Sequence, residues 1–312
     1  MTTARAAGLA LLAGHLALAA GGDIVGAVRA ASDARNFALA EREIQSYRTA
    51  VGVTPAMLEA LSWLARGTLD AGQFDRADGY ATETRNLSME MLKRGGPAPA
   101  PLGTAIGAAI EVHAQVLAAR GERTEAIAYL KTELAAWHDT PIAPRIQKNI
   151  NLLTLEGKPA PALDASHWLG APPPPLASLK GHPVLLFFWA HWCVDCKAEA
   201  PILAHVMQEF GPKGLVLVAP TQLYGYTAAG EAAPDVEMRY IEQVRRQYYA
   251  VLGNTPVPLS AQNFQRYGCS TTPTLVLLDG TGVVRLYHPG AMTYAALAER
   301  IRRFSVARAS RP

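Results

Sequence analysis

Two cysteines three residues apart, Cys193 and Cys196, follow closely on a short apolar run, and this feature constrains the fold more than any other. The run at 184–189 (VLLFFW) combines β-branched and aromatic residues, which is typical of a buried strand. After it, the apolar residues at 202, 206 and 210 follow a helical spacing. The sequence therefore predicts a strand-to-helix junction, with Cys193 at the helix N-terminus and Cys196 one turn inside.

This placement indicates redox chemistry. Backbone amides and the helix dipole favour an anion, so we expect Cys193 to be the attacking thiolate. Cys196 is near enough in sequence to attack the same sulfur and resolve a mixed disulfide. A zinc site would need a second ligand pair, and the sequence has no other Cys-x-x-Cys. A structural disulfide closing so short a loop would add little stability. We therefore expect neither a metal nor an organic cofactor.

Composition restricts the remaining classes. The 312 residues are enough for about two domains, and 50% hydrophobic with 18% charged residues excludes a disordered chain. A net charge of +3 is too small for a nucleic-acid-binding footprint, so we expect no nucleic-acid partner. The third cysteine, Cys269, is predicted to be a small buried residue, with a second resolving thiol as the alternative.

The N-terminus resembles a targeting segment. Arg5 precedes an apolar stretch at 6–20 that ends in small residues, which predicts a cleaved signal peptide over residues 1–20 and a periplasmic or secreted protein. An ordinary Ala/Leu helix leading into the next domain is the alternative. The stretch is shorter than a membrane span, and no other segment approaches one, so we expect no stable span in the mature chain.

Residues 21–156 are predicted to form an all-α domain of helix hairpins, because they are rich in strong helix formers. Three segments beginning at Arg35, Gly72 and Gly121 align with one another, and each carries an alanine five residues on. The pattern resembles tetratricopeptide repeats, with a loop at 95–101 between the second and third. Such an array either binds a peptide or protein ligand or only supports the next domain.

From Lys158 to Arg303 the chain is similar to the TlpA/ResA-type thiol–disulfide oxidoreductases of the thioredoxin superfamily. The similarity rests on FWAHWCVDCK at 188–197, on LKGHPV at 179–184, and on Cys-x-x-Cys-x-x-Glu-x-Pro, which includes Glu199. It implies an α/β thioredoxin-like fold over 157–312, a central mixed sheet flanked by helices, behind the all-α helical-hairpin domain. It also implies a redox-active Cys193–Cys196 disulfide.

The resemblance implies a role for one carboxyl group and the absence of another. Glu199 would tune the resolving thiol, and a surface carboxylate on the first helix is the alternative. The buried aspartate that the superfamily carries on the preceding strand is replaced by Phe187. Proton handling would then fall to Glu199, to water or to a neighbour such as His191, although we expect His191 to be partly exposed rather than catalytic.

The resemblance also assigns the substrate-binding residues. Thr272–Pro273 would be a cis bond, and the backbone of Thr272 would pair with an extended substrate beside Cys193. Trp192 would cover the cysteine pair on one side and contact the substrate.

The segment between the second strand and Thr272 is longer than a minimal thioredoxin needs. Residues 234–252 are predicted to form a helix with Met238, Ile241 and Val244 on one face. Four tyrosines lie in this segment, at 224, 226, 248 and 249, and we expect core packing for them rather than a substrate surface.

These features predict an exported oxidoreductase that exchanges disulfides with protein thiols and depends on an unidentified electron-donor protein. Asp195 and Glu199 favour a reductive direction, because negative charge beside the pair disfavours a thiolate. Two alternatives stay open: a thiol peroxidase or antioxidant enzyme, and a helical-repeat binding scaffold with an accessory redox domain.

Overall fold

The computed structural model describes residues 23–95 and 99–305. The predicted signal peptide and residues 96–98 of the predicted loop lie outside the described residues. The chain divides into two compact units after Ala126, and each is described by itself.

The first unit is entirely helical where it is described, as the sequence predicted. Its helices are α1 (Ile24–Asp33), α2 (Phe37–Ala50), α3 (Pro55–Asp70), α4 (Phe74–Lys93), α5 (Ala100–Ala119) and the first turn of α6 (Arg123–Trp137). Alanines allow close helix packing here, because Ala65, Ala77 and Ala109 are buried together where α3, α4 and α5 meet.

The turns α1–α2, α3–α4 and α5–α6 share one geometry. Each contains a residue with positive φ, namely Arg35 (55°), Gly72 (73°) and Gly121 (88°). The N–H of the following residue donates to a carbonyl five residues back: Asn36 to Ala31 at 2.8 Å, Gln73 to Thr68 at 2.9 Å and Glu122 to Leu117 at 2.9 Å. This is a recurrent way of ending a helix. The three segments that align in sequence therefore form the same turn, while their assignment to the tetratricopeptide family stays a prediction.

Among the described helices, α5 is long and apolar enough to cross a membrane by length and composition. However, 56% of its most apolar window is buried, and it packs against α3 and α4. The core helix of a soluble protein has the same properties. We expected no segment after the N-terminus to approach a membrane span. By length and apolar composition, that expectation is wrong for α5.

The second unit contains the sheet. Its helices are the remainder of α6, α7 (Ala143–Thr154), α8 (Val194–Phe210), α9 (Pro234–Tyr248), α10 (Ala261–Tyr267) and α11 (Tyr294–Ser305). Its strands are β1 (Trp168–Leu169), β2 (Val184–Phe188), β3 (Val216–Val218), β4 (Tyr226–Thr227), β5 (Gly230–Glu231), β6 (Val257–Pro258), β7 (Thr274–Leu278) and β8 (Val284–Pro289).

The main sheet has the order β3-β2-β7-β8. Strands β2 and β3 run parallel, while β7 is antiparallel to β2 and to β8. Every residue of β2 and β7 is buried, which explains why these central strands are continuous apolar runs. The predicted mixed sheet flanked by helices is confirmed.

Alternate residues of β2 face two different cores. Leu185 and Phe187 pack in a cluster with α8, α9 and α11. Leu186 and Phe188 pack in a second cluster with α10. Phe187, at the position where the resemblance implies a buried aspartate, is fully buried.

The segment between β3 and β6 differs from its prediction in detail. Helix α9 ends at Tyr248, and Met238 is exposed although Ile241 and Val244 are buried. Tyr249 is in the core and Tyr224 is half-buried, whereas Tyr226 and Tyr248 are exposed. Core packing was therefore the wrong expectation for Tyr226, the first residue of β4, and for Tyr248, the last residue of α9.

Helix α7 packs against α10 and belongs to the second unit. The contact is close at Gly268, the C-cap of α10, whose φ is 61°. A Cβ at this position would meet the backbone nitrogen of Lys148 at 2.4 Å. The compact unit thus begins before the domain boundary predicted near residue 157, which stays a prediction.

We expect Gly268→Ala to destabilise the protein by roughly 3 kcal/mol, because it adds a backbone clash to the strain of a left-handed alanine. Gly282→Ala is the matched control, since Gly282 also has a positive φ (84°) but no atom within 4 Å of its Cβ position. It should cost about 1 kcal/mol. Urea unfolding measures both, and equal losses would contradict the close approach of α7 to α10.

Candidate functional site

The cysteine pair lies where β2 passes into α8. Cys193 is the N-cap of α8, and its sulfur is bonded to that of Cys196. The N–H of Cys196 donates to Cys193 Sγ over 3.0 Å. The first turn of the helix therefore directs an amide at the sulfur that the sequence predicts to be the nucleophile.

The loop that carries the pair is anchored to the end of β3. Trp189 donates from Nε1 to the carbonyl of Ala219 over 3.0 Å, and its own carbonyl accepts from the Thr221 hydroxyl over 2.8 Å. Its backbone N–H donates to the carbonyl of Pro220. These bonds fix the residues that precede Cys193 against the sheet.

The two cysteines are shielded, while their neighbours are exposed. Cys193 and Cys196 are 3% and 0% exposed, whereas Trp192 and Val194 are 47% and 75% exposed. The pair thus lies just below a surface with an apolar rim. Access to Cys193 is therefore from the side of these two residues.

Glu199 is buried one turn after Cys196, so the alternative of a surface carboxylate is wrong. Its two oxygens accept from the N–H of Met292 over 3.2 and 3.3 Å. Burial raises the pKa of Glu199 to about 7, the Met292 N–H opposes the rise, and the charge of Asp195 adds to it. The carboxyl therefore gains and loses a proton near neutral pH.

The structure brings together the predicted substrate-binding residues. The Thr272–Pro273 bond is cis. Thr272 and Trp192 line the same cavity, although 80 residues separate them in sequence. Their roles in substrate binding remain predictions.

His191 is buried, contrary to our expectation of a partly exposed side chain. Its Nε2 lies 3.2 Å from Oε1 of Glu237, which is also fully buried. Glu237 further accepts the N–H of Tyr224 over 2.6 Å and that of Gly225 over 2.8 Å. Because every other neighbour of this carboxyl group donates to it, we assign the proton to Nε2 of His191.

Aromatic rings enclose His191. Tyr224, Tyr226 and Tyr240 contact it edge-on, with ring centroids 5.5, 5.2 and 5.4 Å away. Burial lowers the pKa of His191, and Glu237 opposes the change. The imidazole is therefore neutral at physiological pH and connects the loop before Cys193 to the segment after β3.

Sequence reasoning missed Glu237, although a signal was present. Glu237 stands four and seven residues before Ile241 and Val244, on the apolar face of α9. An acidic residue on a buried face requires hydrogen-bonding partners, which here come from the loop after β3 and from His191.

Cys269 is buried, as predicted for a small apolar residue. Burial raises the pKa of its thiol, and the Thr274 hydroxyl opposes the change only partly. The thiol is thus held in its protonated, unreactive form. In the described part of the chain, no group of three or more His, Cys, Asp or Glu side chains could hold a metal ion.

Comparison with known proteins places this site in a named domain. Residues 176–305 match the model of a family described as a thioredoxin-like domain. The chain is 29% identical over 123 residues to the thiol:disulfide interchange protein DsbE of Xylella fastidiosa (strain 9a5c), covering 39% of this chain and 55% of that protein. It is 32% identical over 120 residues to the thiol-disulfide oxidoreductase ResA of Bacillus subtilis (strain 168), covering 38% and 59%.

This chain therefore spans little more than half the length of these two relatives. A solved structure of a thiol:disulfide interchange protein of the thioredoxin family from Chlorobium tepidum TLS is 18% identical, with a TM-score of 0.37. The match covers 47% of this chain and 96% of that one.

We expect Glu199→Gln to raise the free energy of unfolding at pH 8 by about 2 kcal/mol and to change it little at pH 5. The pKa of this carboxyl is raised on folding, so wild-type stability is present when the group is protonated and falls as the pH rises from about 4.5 to about 7. Glutamine stays neutral throughout. Urea unfolding at both pH values measures the difference, with the exposed Glu231→Gln as control. An equal effect at both pH values would contradict the raised pKa.

We expect Glu237→Gln to destabilise the protein by roughly 2 kcal/mol, because an amide NH₂ would face a donor in either orientation. Asp235→Asn is the matched control, since that side chain lies in the same helix and is 64% exposed. The measurement is urea unfolding at neutral pH. If both substitutions have the same small effect, Glu237 does not hold the segment after β3.

Proposed function

Residues 176–305 form a thioredoxin-like domain, and we propose that the protein is a thiol–disulfide oxidoreductase that acts on protein substrates through Cys193 and Cys196. The observation that carries this proposal is the disulfide at the N-terminus of α8, with an amide directed at the Cys193 sulfur. The similarity to proteins named for thiol:disulfide interchange supports it.

The first step forms a mixed disulfide. In the reduced protein, the Cys193 thiolate attacks one sulfur of a substrate disulfide. A bond forms between Cys193 and the substrate, the substrate S–S bond breaks, and one substrate thiolate leaves and takes a proton from solvent. The N–H of Cys196 stabilises the thiolate of Cys193 before attack.

The second step releases the substrate. Cys196 loses its proton and attacks the Cys193 sulfur, which forms the disulfide seen in the structure. The second substrate thiolate leaves and is protonated. Two electrons have then passed from the Cys193–Cys196 dithiol to the substrate, and a dithiol donor protein restores them by becoming a disulfide itself.

Glu199 is the proposed acceptor of the Cys196 proton. It is buried one turn along the same helix, and a pKa of about 7 leaves it partly ionised at neutral pH. A carboxyl that is partly ionised at neutral pH can take up the thiol proton and pass it on, which suits a reversible exchange. Glu199 would then take the proton-transfer role that the resemblance implies for an aspartate at the position of Phe187.

We propose a reductive direction and a site outside the cytoplasm. Asp195 is exposed beside the pair, and its negative charge disfavours the Cys193 thiolate, which weakens the disulfide as an oxidant. The apolar segment at 6–20 after Arg5 supports export. The helical unit would then either hold a peptide or protein ligand or support the redox unit.

The test is to trap the first intermediate. We expect full-length Cys196→Ser to accumulate mixed disulfides with protein substrates, because Cys193 can attack but no thiol resolves the product. Cys193→Ser is the control and should trap at least tenfold less. Non-reducing gels followed by mass spectrometry would identify the bond to Cys193.

Two outcomes would contradict the proposal. If Cys196→Ser and Cys193→Ser trap equally, Cys193 is not the nucleophile. If the wild type consumes peroxide but reduces no protein disulfide, the thiol peroxidase reading is the correct one. Adding Cys269→Ser to Cys196→Ser should leave the trapping unchanged, which would assign the chemistry to the pair alone.

A further inference from the structure

A cavity of about 300 Å³ lies beside the disulfide, within the second unit. One wall is formed by Trp192, next to Cys193, and by Thr272, next to the cis-proline. Pro144, at the start of α7, and Gln265, on α10, also line it. The cavity therefore combines the predicted substrate-binding residues with elements that the resemblance does not assign.

The lining is neutral. None of the described residues around the cavity carries a charge, and the only titratable ones are Tyr224 and Cys269, whose pKa values are both raised by burial. The ring of Tyr224 stands edge-on to Trp192 at 5.6 Å and to Phe264 at 6.3 Å. An aromatic corner of this kind favours an apolar or aromatic group.

Two polar groups in the cavity lining lack a partner. The hydroxyls of Thr272 and Tyr224 are buried and make no hydrogen bond to the chain as far as the structure describes it. A buried polar atom without a partner is unfavourable, so a ligand that supplies one is favoured. Gln265, by contrast, is exposed although it lines the cavity, so it lies at the rim.

The position of the cavity identifies what enters it. A polypeptide whose cysteine reacts with Cys193 passes Trp192 and Thr272, and both of these residues line the cavity. A side chain adjacent to the target cysteine is thus the group within reach. We infer that the cavity is a specificity pocket for an uncharged, largely apolar side chain next to the cysteine of the substrate. This inference rests on the proposed function.

A charged side chain is disfavoured in this pocket because it would lose its hydration. The pocket would remove it from water, and none of the described lining residues offers a counter-ion. An aliphatic or aromatic side chain has no charge to desolvate and gains contacts with Pro144, Phe264 and Tyr224. A tyrosine also brings a hydroxyl that can pair with the Thr272 hydroxyl.

The test uses the oxidised full-length protein and four cysteine peptides that differ only in the residue beside the cysteine: Leu, Tyr, Glu or Lys. Two peptide thiols become one peptide disulfide, and the Cys193–Cys196 disulfide becomes a dithiol. Each rate is divided by the rate of the same peptide with glutathione disulfide, which corrects for the reactivity of the thiol. We expect corrected rates for Leu and Tyr to exceed those for Glu and Lys by roughly tenfold.

Gln265→Glu gives the matched variant, since it places one charge on the pocket rim with almost no change of shape. We expect it to raise the rate for Lys relative to Glu by roughly fivefold. Gln262→Glu adds the same charge to the same helix outside the cavity, and it should leave that ratio unchanged.

The outcomes separate the inference from the proposed function. If none of the peptides and no small dithiol reduces the disulfide, the proposed function fails. If all four peptides react at equal corrected rates, the protein exchanges disulfides but the specificity pocket is overturned. Equal shifts from Gln265→Glu and Gln262→Glu would likewise overturn it, because the charge would then act at a distance and not inside the pocket.

Discussion

The attachment of Trp189 to the end of β3 is the constraint on which the site depends. Its ring and backbone make three hydrogen bonds to residues 219–221, at the point where two parallel strands end. The residues just before the cysteine pair are thereby tied to the sheet. Because α8 starts directly after these residues, the same bonds set the direction of the helix and of the amide that meets Cys193.

Two buried carboxyl groups lie near the disulfide, and they differ in the number of hydrogen-bond donors that each has. Glu237 has three donors, including His191, and serves to hold the segment after β3 in place. Glu199 has the single N–H of Met292. The well-satisfied group is suited to structure, whereas the poorly satisfied one changes its protonation state easily. This difference explains why Glu199 and not Glu237 is proposed to take part in proton transfer.

The sequence predicted what depends on local pattern. The apolar run and the spacing of Cys193 and Cys196 were sufficient for the strand, the helix and the N-cap position, and family resemblance added the mixed sheet and the cis bond. Neither the local pattern nor the resemblance predicted the burial of His191. That burial depends on tyrosines and an acidic residue that follow 33 to 49 positions later in the chain. The exposure of Tyr226 and Tyr248 was missed for a related reason. The spacing of apolar residues predicts which face of a helix or strand is buried, but it does not predict which end of that helix or strand the core covers.

The packing of α7 on α10 changes what counts as the redox unit. The C-cap residue of α7, Leu155, joins the cluster beneath the sheet, and Glu156 accepts the N–H of Tyr287 in β8. A fragment that begins after α7 would lose the packing of this helix on α10, which carries Phe264 and Tyr267. It would also remove Pro144 from the cavity beside the disulfide. The compact unit that carries the disulfide therefore begins well upstream of the family match at 176–305, and a helix outside that match contributes to the cavity beside the cysteine pair.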